Sequence, residues 1–477
     1  MTETTATSAR QDIVRPGAAL RTVSAQNLRA HPVRDHCLAP SRAVDTPAFG
    51  ARYGRLFPDL PALVAAPEAL VALGVRGGVC DTSLSVGAPV VEAEGAAGWP
   101  MFGQFVAHDL TADRSPLTLH AEVEGLRNAR SPSINLEPLY ASGPVGQPYL
   151  YQRDDPAKLL LSPDGHDLAR NSEGIALIGD PRNDVHTFMT QLHVLFCKLH
   201  NLVVDRLRED GTDERSLFDE ARRATTWHYQ WILLRDFLPR LVGPELAGEL
   251  LADGPRWFKP GDEPYVPLEF ADAAYRYGHG QVRGGYQLRE GGPEYPLFPD
   301  LMGFGPCQVA TEVDLSRSFD VPGRPPAQRA PRIDGRLPPY LLALPEAITG
   351  TVELSAHRSL AVRDLQRGGA TGLPSGEAVA QVMGELPLTP DETGLDPAQF
   401  PAGSPLWLYI LKEAEHRAGG ERLGPVGGRI VGEVLVGLVD ADPTSQRVVD
   451  PGWEPTLPAA QPGTFTMADL LVAAGTP

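Results

Sequence analysis

Cysteine is scarce: four residues (Cys37, Cys80, Cys197, Cys307) stand far apart among 477, with no Cys-x-x-Cys pair. Neither a disulfide framework nor a zinc knuckle is expected from that spacing. Positive charge is also short, with 42 Lys and Arg against 60 Asp and Glu and a net charge of −18. Such a chain repels phosphate backbones and anionic lipid, so no nucleic-acid or membrane partner is expected. Long apolar runs are missing, and MTETTATSARQDIVRPG has no basic start followed by an apolar stretch. The chain as given therefore reads as cytoplasmic and without a membrane span. Hydrophobic residues, at 42%, are sufficient for a large core, which excludes disorder of the whole chain. Glycine (49) and proline (47) are plentiful, so long proline-stiffened connections should separate the helices.

Length alone would suggest about three domains. The pattern instead divides into an N-terminal arm, 1–98, lying on a catalytic body, 99–477. The arm has a broken pattern, with one short apolar helix near Leu60 to Leu73. Helical periodicity is strong at Trp99 to Thr111, Asp184 to Glu209, Leu217 to Val242 and Arg429 to Val439. Strand-like alternation is scarce, and proline-rich loops fill 254–268, 321–340 and 387–406. The fold class is mainly α with little β.

Three segments carry polar groups where burial is expected. On a helix through Trp99 to Asp113, Met101, Gln104, Phe105 and His108 share one face. His108 reads either as a hydrogen-bonded core histidine or as a base in a dry pocket. Arg182, in GDPRNDVH, sits at a helix entrance, where the macrodipole disfavours a cation. It reads as a salt bridge to Asp180 or Asp184, or as a site residue. In AAYRYGHGQVRGG, glycines flank His279 and would let a flat group approach the backbone. Its alternative is an ordinary loop histidine. His193, Cys197 and His200 fall at i, i+4 and i+7, but border an apolar stripe with no carboxylate to complete a metal site. GPVGGRIVGEVLVGLVDAD, from Gly424, lacks GxGxxG and a preceding strand, so its glycines read as close helix packing.

Together FGQFVAHDLT, GDPRNDVHTFMTQLHVLFCKLHN, YRYGH and VRDLQRGGATGLPSGEAVA follow one another in an order that resembles the animal-type haem peroxidases of the peroxidase–cyclooxygenase superfamily. RLGPVGGRIV and the terminal FTMADLL resemble that superfamily's bacterial branch. The resemblance implies a mostly helical fold with haem b between a distal and a proximal helix. It implies His108 as distal base with Gln104 beside it, Arg182 as distal arginine and His279 as the iron ligand. Arg276 and Arg367 would face haem propionates. Asp109 with Ser131, Ser133, Asn135 and Glu137 would correspond to a calcium site. The implied activity is reduction of hydrogen peroxide through a ferryl intermediate, with oxidation of a small, phenol-like donor.

Some positions depart from the family's pattern. Ala107 and Val185 stand where mammalian members carry carboxylates that esterify haem, so non-covalent haem is expected. Asp364 replaces the asparagine that usually partners the proximal histidine, and it should accept a hydrogen bond from His279. Arg276 occupies the place of the radical-forming tyrosine of the cyclooxygenases and fatty-acid dioxygenases, which disfavours that route. Two other readings remain open: a peroxide-dependent tailoring oxidase for one defined small molecule, and a non-catalytic haem-binding or peroxide-sensing protein.

Overall fold

The computed structural model describes residues 51–82, 91–112, 126–261, 263–352 and 354–475. The part of the arm before Ala51, including Cys37, lies outside them.

The centre is a set of helices packed through aromatic side chains. Helix α1 is Pro67–Gly74, α2 is Gly98–Leu110, α3 is Thr187–Glu209 and α4 is Leu217–Ile232. Further on come α5 (Pro244–Asp253), α6 (Leu360–Ala370), α7 (Leu406–Ala418) and α8 (Pro425–Ala441). Pro100 lies in the first turn of α2, where its missing N–H is no loss. Phe102 and Phe105 of α2 stack on Phe196 of α3, with ring centroids 6.5 and 5.0 Å apart, and Tyr229 of α4 meets all three edge-on. All four rings are fully buried. They set the spacing between α2, which carries His108, and α3, which follows the turn that carries Arg182.

The periodicity from Leu217 to Val242 predicts one helix, and the structure interrupts it. The chain widens into a π-helical turn over Leu233–Phe237 before Leu238–Val242 resumes α geometry. Pro239 explains the interruption: it lacks an N–H and its ring would clash with the carbonyl four residues back, and the wide turn accommodates both. The predicted helix from Asp184 begins instead at Thr187, because residues 181–184 form a separate 3₁₀ turn.

Strand content is small. Strand β1 (Ala51–Gly54) lies between β3 (Arg127–Asn128) and β4 (Val266–Pro267), antiparallel to the first and parallel to the second. Strand β2 (Glu92–Ala96) pairs with β7 (Arg329–Pro331), while β5 (Gly285–Gln287) and β6 (Glu294–Pro296) form a hairpin. Through β1, β2 and the packing of α1 on α6, the described part of 1–98 joins the body along its whole length.

The glycines of α8 are contact points. A Cβ on Gly427 would lie 2.6 Å from Cγ2 of Ile410 in α7, and one on Gly432 would lie 2.5 Å from a Leu250 methyl in α5. The close-packing reading of the GPVGG segment therefore holds. Gly427→Ala is expected to lower stability in urea unfolding. The overpacking cost of about 1–3 kcal/mol outweighs the roughly 1 kcal/mol that alanine gains in helix propensity.

Candidate functional site

Residues from α2, the 181–184 turn and the 3₁₀ segment Ala274–Gln281 converge on one cavity enclosing about 1340 Å³ of unfilled space, part of it continuous with solvent. His108, Gln104, Arg182, Arg276 and His279 all line it. The remaining walls are largely apolar, among them Leu297, Phe298, Leu341, Leu344 and Ile348. Ala107 and Val185 also face it, and no carboxylate among the described residues does. Two expected groups stand back from the cavity wall, Arg367 and Asp364.

The distal side is built from the 3₁₀ turn. Asp180 caps the turn by accepting the Arg182 backbone N–H and grips its guanidinium with both oxygens, Nε at 3.0 Å and Nη2 at 2.7 Å. Arg182 Nη2 also donates to the carbonyl of His108 at 3.0 Å, tying the turn to α2. Arg130 reaches the other side of the same carboxylate, with Nη2 2.6 Å from Oδ2, and bridges to Glu137 at 3.0 Å. Burial alone would raise the Asp180 pKa, but the two guanidinium groups outweigh it and hold the carboxyl well below its ordinary range. Of the two alternatives for Arg182, the salt bridge is real, but it is buried and positions the guanidinium at the cavity instead of on the surface.

His108 is completely buried, and its Nδ1 donates to Asn183 Oδ1 at 2.6 Å. Burial first, then the charge of Arg182, lowers its pKa to about 3, so the imidazole is neutral at physiological pH. Gln104 is held by His186, whose Nδ1 accepts the Met189 backbone N–H at the start of α3. That leaves the proton on His186 Nε2, which donates to Gln104 Oε1 at 3.0 Å and leaves the amide nitrogen of Gln104 to serve the cavity.

On the opposite wall, His279 Nδ1 donates to Asp364 Oδ2 at 2.6 Å, as the asparagine-to-aspartate replacement suggested. The other oxygen of Asp364 accepts from Arg276 Nη1 at 3.1 Å. Asp272 lies 3.7 Å from Arg276 and accepts from Arg367 at 3.3 Å. Arg367 is thus engaged behind the wall, whereas Arg276 reaches the cavity. With Nδ1 committed, His279 keeps its Nε2 lone pair for a ligand. A ring that is 28% accessible beside a large, mostly apolar space fits an iron porphyrin.

The loop after β3 does not fit a calcium ion. Asp109 already accepts the backbone N–H groups of Asn135, Leu136 and Glu137 at 2.8–3.1 Å, and burial raises its pKa to about 7. Glu137 is taken by Ser131 and by Arg130, and Asn135 bridges Ser131 Oγ and the Glu137 N–H. The guanidinium of Arg130 supplies the positive charge that calcium would bring. Among the described residues no group of three His, Cys, Asp or Glu is arranged for a metal. Of the residues expected from the resemblance, Asp109, Ser131, Asn135 and Glu137 come together as hydrogen-bond partners.

His193, Cys197 and His200 do not form a metal centre. His193 Nδ1 meets Asn183 Nδ2 at 3.1 Å, while His200 binds Tyr140 Oη and the Ala157 carbonyl. Asp180 is the partner that the sequence offers for Arg182, whereas Asn183, His186 and Arg130 leave no local signal in the sequence.

The comparisons with known proteins agree on a class. Residues 120–302, which include Arg182, Arg276 and His279, match the family of animal haem peroxidases. In fold, the chain is similar to peroxidase A of Dictyostelium discoideum, with a TM-score of 0.61 and 14% identity over 92% of this chain and 94% of that one. It is also similar to the fatty acid alpha-dioxygenase of Arabidopsis thaliana, with a TM-score of 0.59 and 15% identity over 90% and 82%. The fold is mainly helical and is shared with these two proteins. Among sequence relatives, the chorion peroxidase of Aedes aegypti is 26% identical over 317 residues, 61% of this chain and 37% of the relative. The thyroid peroxidase of Sus scrofa is 26% identical over 299 residues, 56% and 30%. The chain thus spans about a third of the length of these relatives. Among the described residues no helix is long and apolar enough to cross a membrane.

Asp180→Asn should cost about 3–5 kcal/mol at neutral pH, because it leaves two buried guanidinium groups without their carboxylate. The Asp180 pKa is depressed on folding, so its contribution is complete above the unfolded value near ~3.9 and is lost as pH falls through the folded value. Urea unfolding of variant and wild type should therefore converge in strong acid.

Proposed function

We propose that the chain is a haem-dependent peroxidase that reduces hydrogen peroxide and oxidises a small organic donor, with residues 99–477 as the catalytic body and 1–98 as an arm upon it. The observation that carries this reading is the single cavity lined by His108, Arg182 and His279, with the Nδ1 of His279 held by a carboxylate. His279 Nε2 would ligate haem b, and Arg276 would meet a propionate. Among the described residues no carboxylate lines the cavity where an ester could form, in keeping with non-covalent binding. When bound, haem would supply the redox centre at which peroxide is split and from which a donor is oxidised. The motifs RLGPVGGRIV and FTMADLL support placing the chain in the bacterial branch.

The protein's own groups divide the work. Neutral His108 would take a proton from hydrogen peroxide at Nε2 and hand it to the hydroxide released as the O–O bond breaks, giving water, the two electrons coming from haem when it is bound. An imidazolium with a low pKa is a strong acid, which suits the second half of that transfer. Arg182, fixed in place by Asp180 before any reaction, stabilises the negative charge that grows on the departing oxygen. The amide nitrogen of Gln104 offers a further donor on the same face. Apolar walls exclude water and favour an apolar or aromatic donor. They also favour a second reading, a tailoring oxidase that admits one defined small molecule. Rapid turnover of guaiacol would support the general peroxidase, and slow guaiacol turnover with a tight spectral shift for one compound would support the second.

His108→Ala should slow the reaction of the haem-loaded protein with peroxide by about 10²–10⁴-fold in stopped flow. In the wild type that rate should stay level well below the ordinary histidine pKa of ~6.5 and fall only as His108 becomes protonated. A wild-type rate in the variant overturns the assignment. Asp364→Asn should raise the iron's reduction potential in spectroelectrochemistry, because a neutral acceptor gives His279 less imidazolate character.

A further inference from the structure

The cavity-facing nitrogen of His108 is useful as a proton acceptor only if the ring's proton sits on the other nitrogen. That choice between tautomers is made by two residues that the reaction itself does not touch. Asn183 Oδ1 lies 2.6 Å from His108 Nδ1, and Asn183 Nδ2 lies 3.1 Å from His193 Nδ1. Asn183 and His108 are fully buried, and His193 nearly so, with only 2% of its surface exposed. We propose that Asn183 is a positioning residue whose amide, oriented by His193, pins the His108 proton to Nδ1 and reserves the Nε2 lone pair for the cavity.

The chain of three groups admits two self-consistent arrangements. In one, His108 Nδ1–H donates to the amide oxygen, and the amide nitrogen donates to the Nδ1 lone pair of His193. In the other, the amide is rotated by half a turn, donates to His108 Nδ1, and drives the proton to Nε2, where the base is lost. The distances select the first. The shorter contact suits an oxygen acceptor, and 3.1 Å is an ordinary separation for an amide N–H and an imidazole nitrogen. His193 contributes because it is neutral: burial lowers its pKa to about 4, so the ring keeps one lone pair for Asn183. Leu139, Leu150, Leu159 and Leu168 pack around it and the charge of Asp180 acts on it, while the Asn183 amide is its hydrogen-bond partner among the contacts described. Asn183 is also fixed in the chain, because its own backbone N–H donates to the Asp180 carbonyl in the turn that presents Arg182. One turn therefore sets both the guanidinium and the tautomer.

The inference rests on the reading of His108 as the proton acceptor, but its first test does not. Full-length protein labelled with ¹⁵N-histidine, with the His108 signals identified by their loss in His108→Ala, reports directly which ring nitrogen carries the proton. Wild type should show Nδ1 protonated and Nε2 bare. Asn183→Leu should transfer population to the Nε2–H form, and Asn183→Asp, which keeps the acceptor oxygen, should restore the Nδ1–H form. His193→Leu, matched to its leucine surroundings, should move the population in the same direction as Asn183→Leu, but less. In haem-loaded protein, Asn183→Leu should slow the peroxide reaction by about 10–100-fold, the loss typical when the partner that orients a working histidine is removed, at unchanged haem content. Asn183→Asp should recover most of that rate. Should Asn183→Leu fail to fold, the Asp and His193→Leu variants carry the test. Nε2–H in the wild type, or a tautomer indifferent to both positions, overturns the proposal. So does a shifted tautomer with an unchanged peroxide rate. A wild-type rate in His108→Ala would instead overturn the functional reading and leave the ¹⁵N result to stand by itself.

Discussion

The carboxylate of Asp180 fastens the segments around His108 and Arg182 to one another. It is buried, it is shared by two guanidinium groups, and it caps the short turn from which Arg182 projects. An isolated ion in that position would be expelled or neutralised; two cations and a backbone N–H make it tenable. Because Arg182 also bonds to the His108 carbonyl and Arg130 also bonds to Glu137, the one carboxylate ties together α2, the turn before α3, and the loop after β3. The aromatic stack between α2 and α3 then fixes the spacing of segments whose polar ends are already fastened.

The proximal wall obeys the same rule with other residues. Asp364 and Asp272 carry two negative charges, Arg276 and Arg367 two positive ones, and the set is interlocked behind His279. Sharing Asp364 with Arg276 moderates the aspartate's pull on the imidazole, so His279 feels a carboxylate whose charge is partly spent. Each wall is therefore close to electrically neutral by itself, and any charge that arises between them during a reaction meets preorganised dipoles rather than a net field.

The long helices were legible because burial imposes a 3.6-residue rhythm on local sequence. Gly98–Leu110 and Pro425–Ala441 were anticipated to within a few residues of their observed ends. Their interruptions were less so: Pro239 announces a problem but not the π turn that solves it. The short strands were invisible, since two to five residues carry no periodicity and their partners lie far along the chain, as in Glu92 against Pro331. In the site, His108 and His279 stand out as polar groups among apolar or glycine neighbours, and Arg182 as a cation at a helix entrance. Asn183, His186 and Arg130 did not, because what makes each of them matter is a partner about 50 to 80 residues distant. The loop of Ser131 to Glu137 shows the converse: its oxygen-bearing side chains are visible in the sequence, but the bond of the Arg130 guanidinium to Glu137 is not.

Alanine and valine stand in the cavity wall, and none of its described residues is a carboxylate, so a guest there would find no acid with which to form an ester. Residence then becomes an equilibrium governed by the free concentration of the guest, and the folded state gains from it only logarithmically. Were the cavity to take the porphyrin proposed for it, fold and cofactor supply would be linked variables, and the protein without its guest would be the less stable form.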